Sequence, residues 1–379
     1  MRQRRIPAVF MRGGTSRAVM FKRSDLPADR AEWDPIFLAA LGSPDPNGRQ
    51  LDGMGGGVSS LSKVCVIGPP SRSDADVDYT FAQVSVREAL VDYSGSCGNM
   101  SSAIGPFALD EGMVPAIDGE VAVRIHDTNA GRIIVSRFAA EGGEALVDGS
   151  MTLDGVGGSG APIRLEFMDP GGARTGALLP TGRARDWLEG EAFGRIEASI
   201  VDAASPGVFI RAADVGMTGA ELPQALDDDI ALHARLEAIR CAAAVAMGLA
   251  KDPIAARRRP AMPRIAMVAP PREATLLSGR ILGTSAVDLN VRMLSMGQAH
   301  RAVPATGALC LGVASRIPGS LVAEAAGTPV GSIRIGHASG VTVADAVVEP
   351  DGNGWVCRQA VLYRTARRLF EGAVLVRGR

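Results

Sequence analysis

A single thiol, Cys97, stands in the segment Ser94-Gly95-Ser96-Cys97-Gly98-Asn99-Met100-Ser101-Ser102-Ala103-Ile104-Gly105, among small and polar residues just ahead of an apolar helical pattern. The start of a helix presents unpaired N–H groups and a positive dipole end, which favour a thiolate. Flanking glycines let an anionic substrate approach the backbone. The competing reading is a buried structural cysteine. Cys65, Cys241, Cys310 and Cys357 lie in apolar stretches without such flanks and take that plainer reading.

A second candidate closes the loop Asp52-Gly53-Met54-Gly55-Gly56-Gly57-Val58-Ser59-Ser60-Leu61-Ser62-Lys63. Lys63 opens a strand, and the order GxxxxGK[ST] is absent, so this is no nucleotide-binding P-loop. A lysine at a pocket edge can act as a base once desolvated, can clamp a carboxylate, or can simply be solvated surface. Near the N-terminus, Met11-Arg12-Gly13-Gly14-Thr15-Ser16-Arg17 gathers two arginines, two hydroxyls and two glycines at a strand end. That set suits a carboxylate, and equally a tight turn. His300, in Ser295-Met296-Gly297-Gln298-Ala299-His300, has no histidine or cysteine at metal-ligand spacing, so no zinc motif is expected. A GxSxG elbow is also missing.

The elements that must position these residues read as mixed α and β. Alternating or β-branched runs predict strands at Ala8–Met11, Lys63–Ile67, Asp78–Val86 and Glu120–His126. A helix is expected from about Asp228 to Met247, with Ile230, Leu232, Leu236, Ile239 and Ala243 as its apolar stripe. Another begins near Asn99, and a third after Gly297, running through Ala308, Leu309 and Val313 with Pro304 kinking or delaying it. The glycine-flanked segments at Cys97 and at Ser295-Met296-Gly297 occupy comparable places, which suggests two similar halves. The expected boundary is near Leu179-Pro180-Thr181-Gly182, giving domains at 1–180 and 181–367, with a last strand near 368–379 able to return to the first.

With 379 residues the chain exceeds one compact core, and aromatics make up only 4%, so the core is expected to be built from Ala, Val, Leu and Ile. A net charge of -1 gives no bulk attraction to nucleic acid or to an anionic membrane. Five widely spaced cysteines without a CxxC pair argue against a disulfide framework. No signal-like or membrane-spanning apolar run is evident, so a cytoplasmic protein is expected.

Taken in order, Met11-Arg12-Gly13-Gly14-Thr15-Ser16, Gly42-Ser43-Pro44-Asp45-Pro46, Gln50-Leu51-Asp52-Gly53-Met54-Gly55-Gly56, Ser62-Lys63 and Cys97-Gly98-Asn99 resemble the PrpF family. The likeness continues through Val268-Ala269-Pro270-Pro271, Leu294-Ser295-Met296-Gly297, His300 and Arg364-Thr365-Ala366-Arg367, nearly the whole chain. The family includes 2-methylaconitate cis-trans isomerase, 4-oxalomesaconate tautomerase and methylitaconate isomerase. The resemblance implies an α+β, diaminopimelate-epimerase-like fold of two similar domains, each a curved sheet around a central helix, with the active site between them. It implies that Lys63 and Cys97 match the family's catalytic pair. Substrate carboxylates would then be held by Arg12, Thr15, Ser16, Ser62, Gly98 and Asn99, and by Ser295, Met296, Gly297 and His300.

The implied reaction is an allylic proton shift in a small unsaturated di- or tricarboxylate, needing no cofactor or metal. 2-Methylaconitate ranks first on the serine-rich segments around Lys63 and Cys97. A non-catalytic role as a polycarboxylate-binding accessory to a dehydratase is the reading from another class, and an amino-acid epimerase ranks last because Ser295-Met296-Gly297 lacks a second cysteine. A homodimer is left open. Two departures bear on substrate choice: Arg17-Ala18 replaces the family's usual Lys-Gly, and Ala204-Ser205 replaces a glycine and an apolar residue.

Overall fold

The structure, a computed structural model, describes residues 3–93, 95–259, 262–295, 297–327, 331–352 and 354–377, the side chain of residue 295 apart. The chain divides into two compact units, Met1–Glu166 with Tyr363–Arg379, and Phe167–Leu362.

In the first unit, β1 (Arg4–Gly13) and β2 (Ser16–Lys22) form a hairpin closed by the pair Gly13 and Ser16. The far edge of β1 takes the C-terminal strand Ala366–Val376 antiparallel, with Arg12 opposite Arg367. Parallel to β2 runs β3 (Lys63–Gly68), which pairs antiparallel with β4 (Val77–Val84), Lys63 facing Gln83 across the ladder. β5 (Val91–Asp92) pairs with the end of β4, while β6 (Gly119–Asp127) runs parallel to its start and turns back into β7 (Arg132–Glu141).

Side chains alternate across a strand, so β3 sorts its residues to two faces. Val64 and Val66 pack with Val19 and Phe21 against α1 (Trp33–Leu41), where Phe21 and Phe37 stack with centroids 5.8 Å apart. Lys63 and Cys65 turn to the other face. α2 (Ser101–Asp110) is buried from Ser101 through Leu109, which makes it a central helix with no solvent face. Gly105 permits its close packing, since a Cβ there would lie 2.6 Å from Ser136 Oγ on β7.

The second unit repeats this plan. β8 (Asp186–Gly190), β9 (Gly194–Ala203) and β10 (Ser205–Arg211) run antiparallel in sequence, and β11 (Arg264–Ala269) lies parallel to β10. β12 (Leu289–Ser295) pairs antiparallel with β11, and β13 (Ile333–His337) joins it in parallel. β14 (Gly340–Asp351) and β15 (Gly354–Arg364) complete the set, each antiparallel to the strand before it. On one face, Ile200, Val208, Ile210, Ile265 and Met267 pack with Leu232, Leu236 and Ile239 of α3 (Ile230–Ala246), whose cap Asp229 accepts from the Leu232 N–H at 2.9 Å. On the other, Val201, Phe209, Ala266, Val291 and Ile335 pack with α4 (Ala305–Ala314), buried at all ten positions but Thr306. Each unit is thus a sheet with a fully buried helix on one side and a second helix on the other. The core is aliphatic, as the low aromatic content predicts.

Two local expectations need correcting. Ile230 is 83% exposed at the first turn of α3, because the stripe begins only at Leu232. The segment after Gly297 is not helical: Leu294 pairs with Ala299 and Ser295 with Gln298 in a hairpin, and Gly297 adopts φ +72 in its turn. Pro304 then caps α4 at φ -58, so the helix starts one residue past the proline.

Candidate functional site

The site in the first unit is built on the leading turn of α2 and the loop end of β3. The Cys97 carbonyl accepts from the Ser101 N–H at 3.0 Å and the Ser101 hydroxyl at 3.1 Å. The Asn99 carbonyl accepts from the Ser102 hydroxyl at 2.7 Å. Both serines therefore spend their hydroxyls on winding residues 97–100 into a turn, which keeps Cys97 at the positive end of the helix. Ahead of it, Ser96 donates to the buried carboxyl of Asp127, the last residue of β6. Burial pushes the Asp127 carboxyl up, against the hydrogen bonds from Ser96 and from the Ala130 and Asn129 N–H groups. Asn129 ties the same region down by donating to the carbonyls of Phe81 and Tyr93 at 2.9 and 2.7 Å.

Asn99 is fixed from two sides. Its Nδ2 donates to Thr15 Oγ1 at 3.0 Å, and its Oδ1 accepts from Arg364 Nε at 3.1 Å. The β1–β2 hairpin comes so close that a Cβ on Gly13 would lie 2.8 Å from the Asn99 carbonyl oxygen, and one on Gly14 2.4 Å from Asn99 Oδ1. Gly14 also needs φ +52, so it answers both a backbone and a packing demand. Arg364 is buried, and burial pushes its guanidinium down to about 10. Arg12 Nη1 donates to the carbonyls of Gly14 and Thr365 at 3.0 and 2.9 Å; burial, and then the charge of Arg367, pull it down.

Lys63 is only 7% exposed. Its Nζ donates to Gln83 Oε1 at 2.5 Å and lies 5.0 Å from the centroid of the Phe81 ring. Before it, Ser62 is fully buried; its hydroxyl donates to the Val84 carbonyl at 2.9 Å and accepts from Gln50 Nε2 at 2.7 Å, so it braces the glycine-rich loop. Cys65 follows two residues on in β3; burial dominates in pushing its thiol up, the charge of Cys97 adds to this and that of Lys63 opposes it. Of the residues singled out by sequence, this unit therefore gathers Thr15, Asn99, Gly98 and Cys97 about one helix start. Lys63 opens β3, and Ser16 is buried at the hairpin closure.

In the second unit, Met296 and the side chain of Ser295 lie outside the described residues. Gly297 is exposed at its turn, and the His300 N–H donates to the Met293 carbonyl at 2.8 Å. Burial, helped by the charge of Arg264, pushes the His300 imidazole below its ordinary value. Arg264 opens β11 with Nη1 donating to Ser205 Oγ and Thr306 Oγ1, both at 2.9 Å, while its buried Nε has no partner. Burial pulls this guanidinium down as well. Thr306 lies in the first turn of α4, so a cation and two hydroxyls meet at that helix start. Sequence reasoning passed over Arg264, Gln83 and Asp127. The signal for Arg264 was a lone charge opening the apolar strand Arg264–Ala269, and for Gln83 an amide inside a half-buried strand; Asp127 left none beyond its turn position.

Among the described residues no group of three His, Cys, Asp or Glu is placed to hold a metal ion, and no helix is long and apolar enough to cross a membrane.

Two similar units, each a sheet around a buried helix, with Cys97 at a helix start and Lys63 at a strand start, define the diaminopimelate-epimerase-like fold. A hydroxyproline epimerase from Agrobacterium vitis superposes with a TM-score of 0.51 at 12% identity, covering 99% of this chain and 94% of that one, which speaks for the fold alone. The chain belongs to the PrpF family, whose profile, described as PrpF protein, matches residues 3–377. It is 43% identical to 3-methylitaconate isomerase of Eubacterium barkeri over 99% of this chain and 98% of that protein. It is 40% identical to 2-methyl-aconitate isomerase of Cupriavidus necator over 99% and 98%. The crystal structure of a methylitaconate-delta-isomerase matches with a TM-score of 0.90 at 42% identity, covering 99% of this chain and 96% of that one.

Proposed function

We propose that this chain, an isomerase of the PrpF family, moves a proton across a three-carbon allylic unit of a small unsaturated polycarboxylate, with Lys63 as base and Cys97 as partner acid. The observation that carries the reading is the pairing of chemistries in one unit: an amine almost wholly removed from water but bound to a neutral amide, and a half-exposed thiol at a helix start. Neutral Lys63 Nζ takes the proton from the carbon next to the double bond. The C–H electron pair moves into the conjugated system as a dienolate on the substrate carboxylate, and Cys97 Sγ–H delivers a proton at the far carbon while the double bond re-forms in its new place. The proton gained by Lys63 then returns to the thiolate through solvent or product. Charge grows on the carboxylate in the transition state, and N–H groups of the Cys97–Met100 turn are suited to receive it.

2-Methylaconitate-like acids stand first as substrates. Methylitaconate-type acids are the second reading, favoured by the 43% identical relative, and 4-oxalomesaconate the third. The relatives named for the first two differ from this chain to nearly the same extent, so likeness does not choose between them. The decisive test is proton NMR of methylaconitate, methylitaconate, oxalomesaconate, aconitate and itaconate incubated with the protein in deuterated water. Deuterium entry or double-bond movement in one of them is expected. Silence from the whole panel would sink the isomerase reading in favour of a polycarboxylate-binding accessory role.

A further inference from the structure

Lys63 is one of only three lysines among the forty basic residues, with Lys22 and Lys251. The other two are paired with carboxylates: Lys22 Nζ lies 2.9 Å from Glu111, and the exposed Lys251 4.0 Å from Asp252. Lys63 instead meets the amide oxygen of Gln83, its ladder partner on β4. The orientation of that amide is dictated by its surroundings. Gln83 Nε2 donates to the carbonyls of Ser62 at 2.8 Å and Ser59 at 3.1 Å, so a flipped amide would set an oxygen against two carbonyl oxygens. Oε1 must therefore face Lys63.

We propose that Gln83 is a positioning residue for Lys63, aiming Nζ from a doubly anchored amide and, because that amide is uncharged, leaving the amine able to give up and take a proton. The inference rests on the reading of Lys63 as the base. An amide oxygen accepts from an amine and an ammonium alike. A carboxylate at the same place would favour the ammonium, which has no lone pair with which to attack a C–H. The Phe81 ring face adds a weak pull toward the cation, so the neutrality of Gln83 is the stronger lever. The titratable and charged groups on the elements packed about Lys63 include Cys65 on its own strand, whose thiol burial pushes up, Arg17 on the adjacent β2, Asp92 opposite Gln83 on β5, and Cys97 ahead of α2. The same two carbonyls belong to the loop that delivers Lys63, so one side chain sets both the loop end and the direction of Nζ.

The test compares Gln83→Glu with Gln83→Met in the full chain. Both lose the two bonds to Ser59 and Ser62, and only the first adds charge. With the panel acid that the wild type turns over, Gln83→Glu is expected to move the acidic limb of the kcat/KM profile alkaline by about one pH unit or more. Gln83→Met is expected to lower kcat about tenfold with KM little changed and the limb not displaced alkaline. A readout free of turnover is the 13Cε titration of the three lysines, with Lys63 assigned by its disappearance in Lys63→Met: in Gln83→Glu its midpoint should rise relative to wild type. A Gln83→Glu limb and titration that superimpose on wild type, or a Gln83→Met with wild-type kcat, overturn the proposal while Lys63→Met stays inactive. Full turnover by Lys63→Met removes the base assignment itself, and the proposal with it.

Discussion

Lys63 could remove a proton or could clamp a carboxylate, and the two roles leave different kinetic traces. A clamp binds ground state and transition state alike, so its loss appears in KM; a base acts only in the transition state, so its loss appears in kcat. Lys63→Met is expected to lower kcat by roughly a hundredfold to ten-thousandfold, the usual scale of general acid–base catalysis, and steady-state kinetics separate the roles directly. Cys97 is set apart from the other four cysteines by solvent. All four are buried, and burial pushes the thiols of Cys310 and Cys357 up to about 12. Iodoacetamide should therefore alkylate Cys97 first, with activity falling in step with that single modification. Peptide mass spectrometry showing another cysteine modified ahead of Cys97 would contradict this. These two candidates were legible in the sequence because a glycine- and serine-rich segment leads into each. Gln83 and Arg264 were not, since their meaning depends on what faces them: an amide in a strand says nothing until its ladder partner is a lysine. Ser205 stood out as a departure from the family pattern, and the structure gives it a physical task, a hydrogen bond to Arg264.

Strands and helices were the readable part at the next scale, and turns the unreadable part. β3, β4, β6 and α2 follow from alternation and from an apolar run with small residues, whereas the start of α4 was displaced because the pairing of Gln298 and Ala299 with β12 outweighs the helical pattern around them. A tight turn in the second unit joins β9 to β10, with Ala203 paired to Ser205 and Ala204 alone between them at φ +57. A left-handed alanine costs about 1–2 kcal/mol, partly offset on going to glycine by the greater freedom of the unfolded chain. Ala204→Gly should therefore stabilise the protein by about 0.5–1 kcal/mol, seen as a higher urea midpoint at unchanged slope. Gly14 predicts the reverse. Its added Cβ would meet Asn99 Oδ1 as well as left-handed strain, so Gly14→Ala should destabilise and, by displacing Asn99 from Thr15 and Arg364, also lower activity. A Gly14→Ala protein with wild-type stability and turnover would mean that the hairpin and the α2 turn are less tightly fitted than these distances state.

Across the whole chain, each unit repeats one plan of sheet and buried helix, and the strand Ala366–Val376 pairs with β1 from the far end of the sequence. Both units share a dependence on acidic groups held by arginine. Hydrogen bonds from Arg211 hold the Glu324 carboxyl below its ordinary value, despite some burial, with Arg185 adding to the pull. Asp288 is held down chiefly by its hydrogen bond from Arg334. In the first unit burial pushes Glu111 up, but Lys22 and Arg368 outweigh it and leave it low. A carboxyl whose folded value is depressed contributes stability that is fully present above its unfolded value, 4.5 for Glu and 3.8 for Asp, and that is lost as pH falls through the lower folded value. Asp127 and Asp110, raised by burial, act with the opposite sign, so their adverse contribution eases over the acid range. The depressed set is the larger, and the thermal midpoint should fall as pH drops below about 4. Glu324 isolates the effect, because it joins Arg185 and Arg211 at 2.6 and 2.7 Å. Glu324→Gln should be less stable than wild type at pH 7, and the gap should close as acid protonates the wild-type carboxyl. A gap that stays constant down to pH 3 would assign the loss to packing at that position and remove the ion pairs from the account of acid stability.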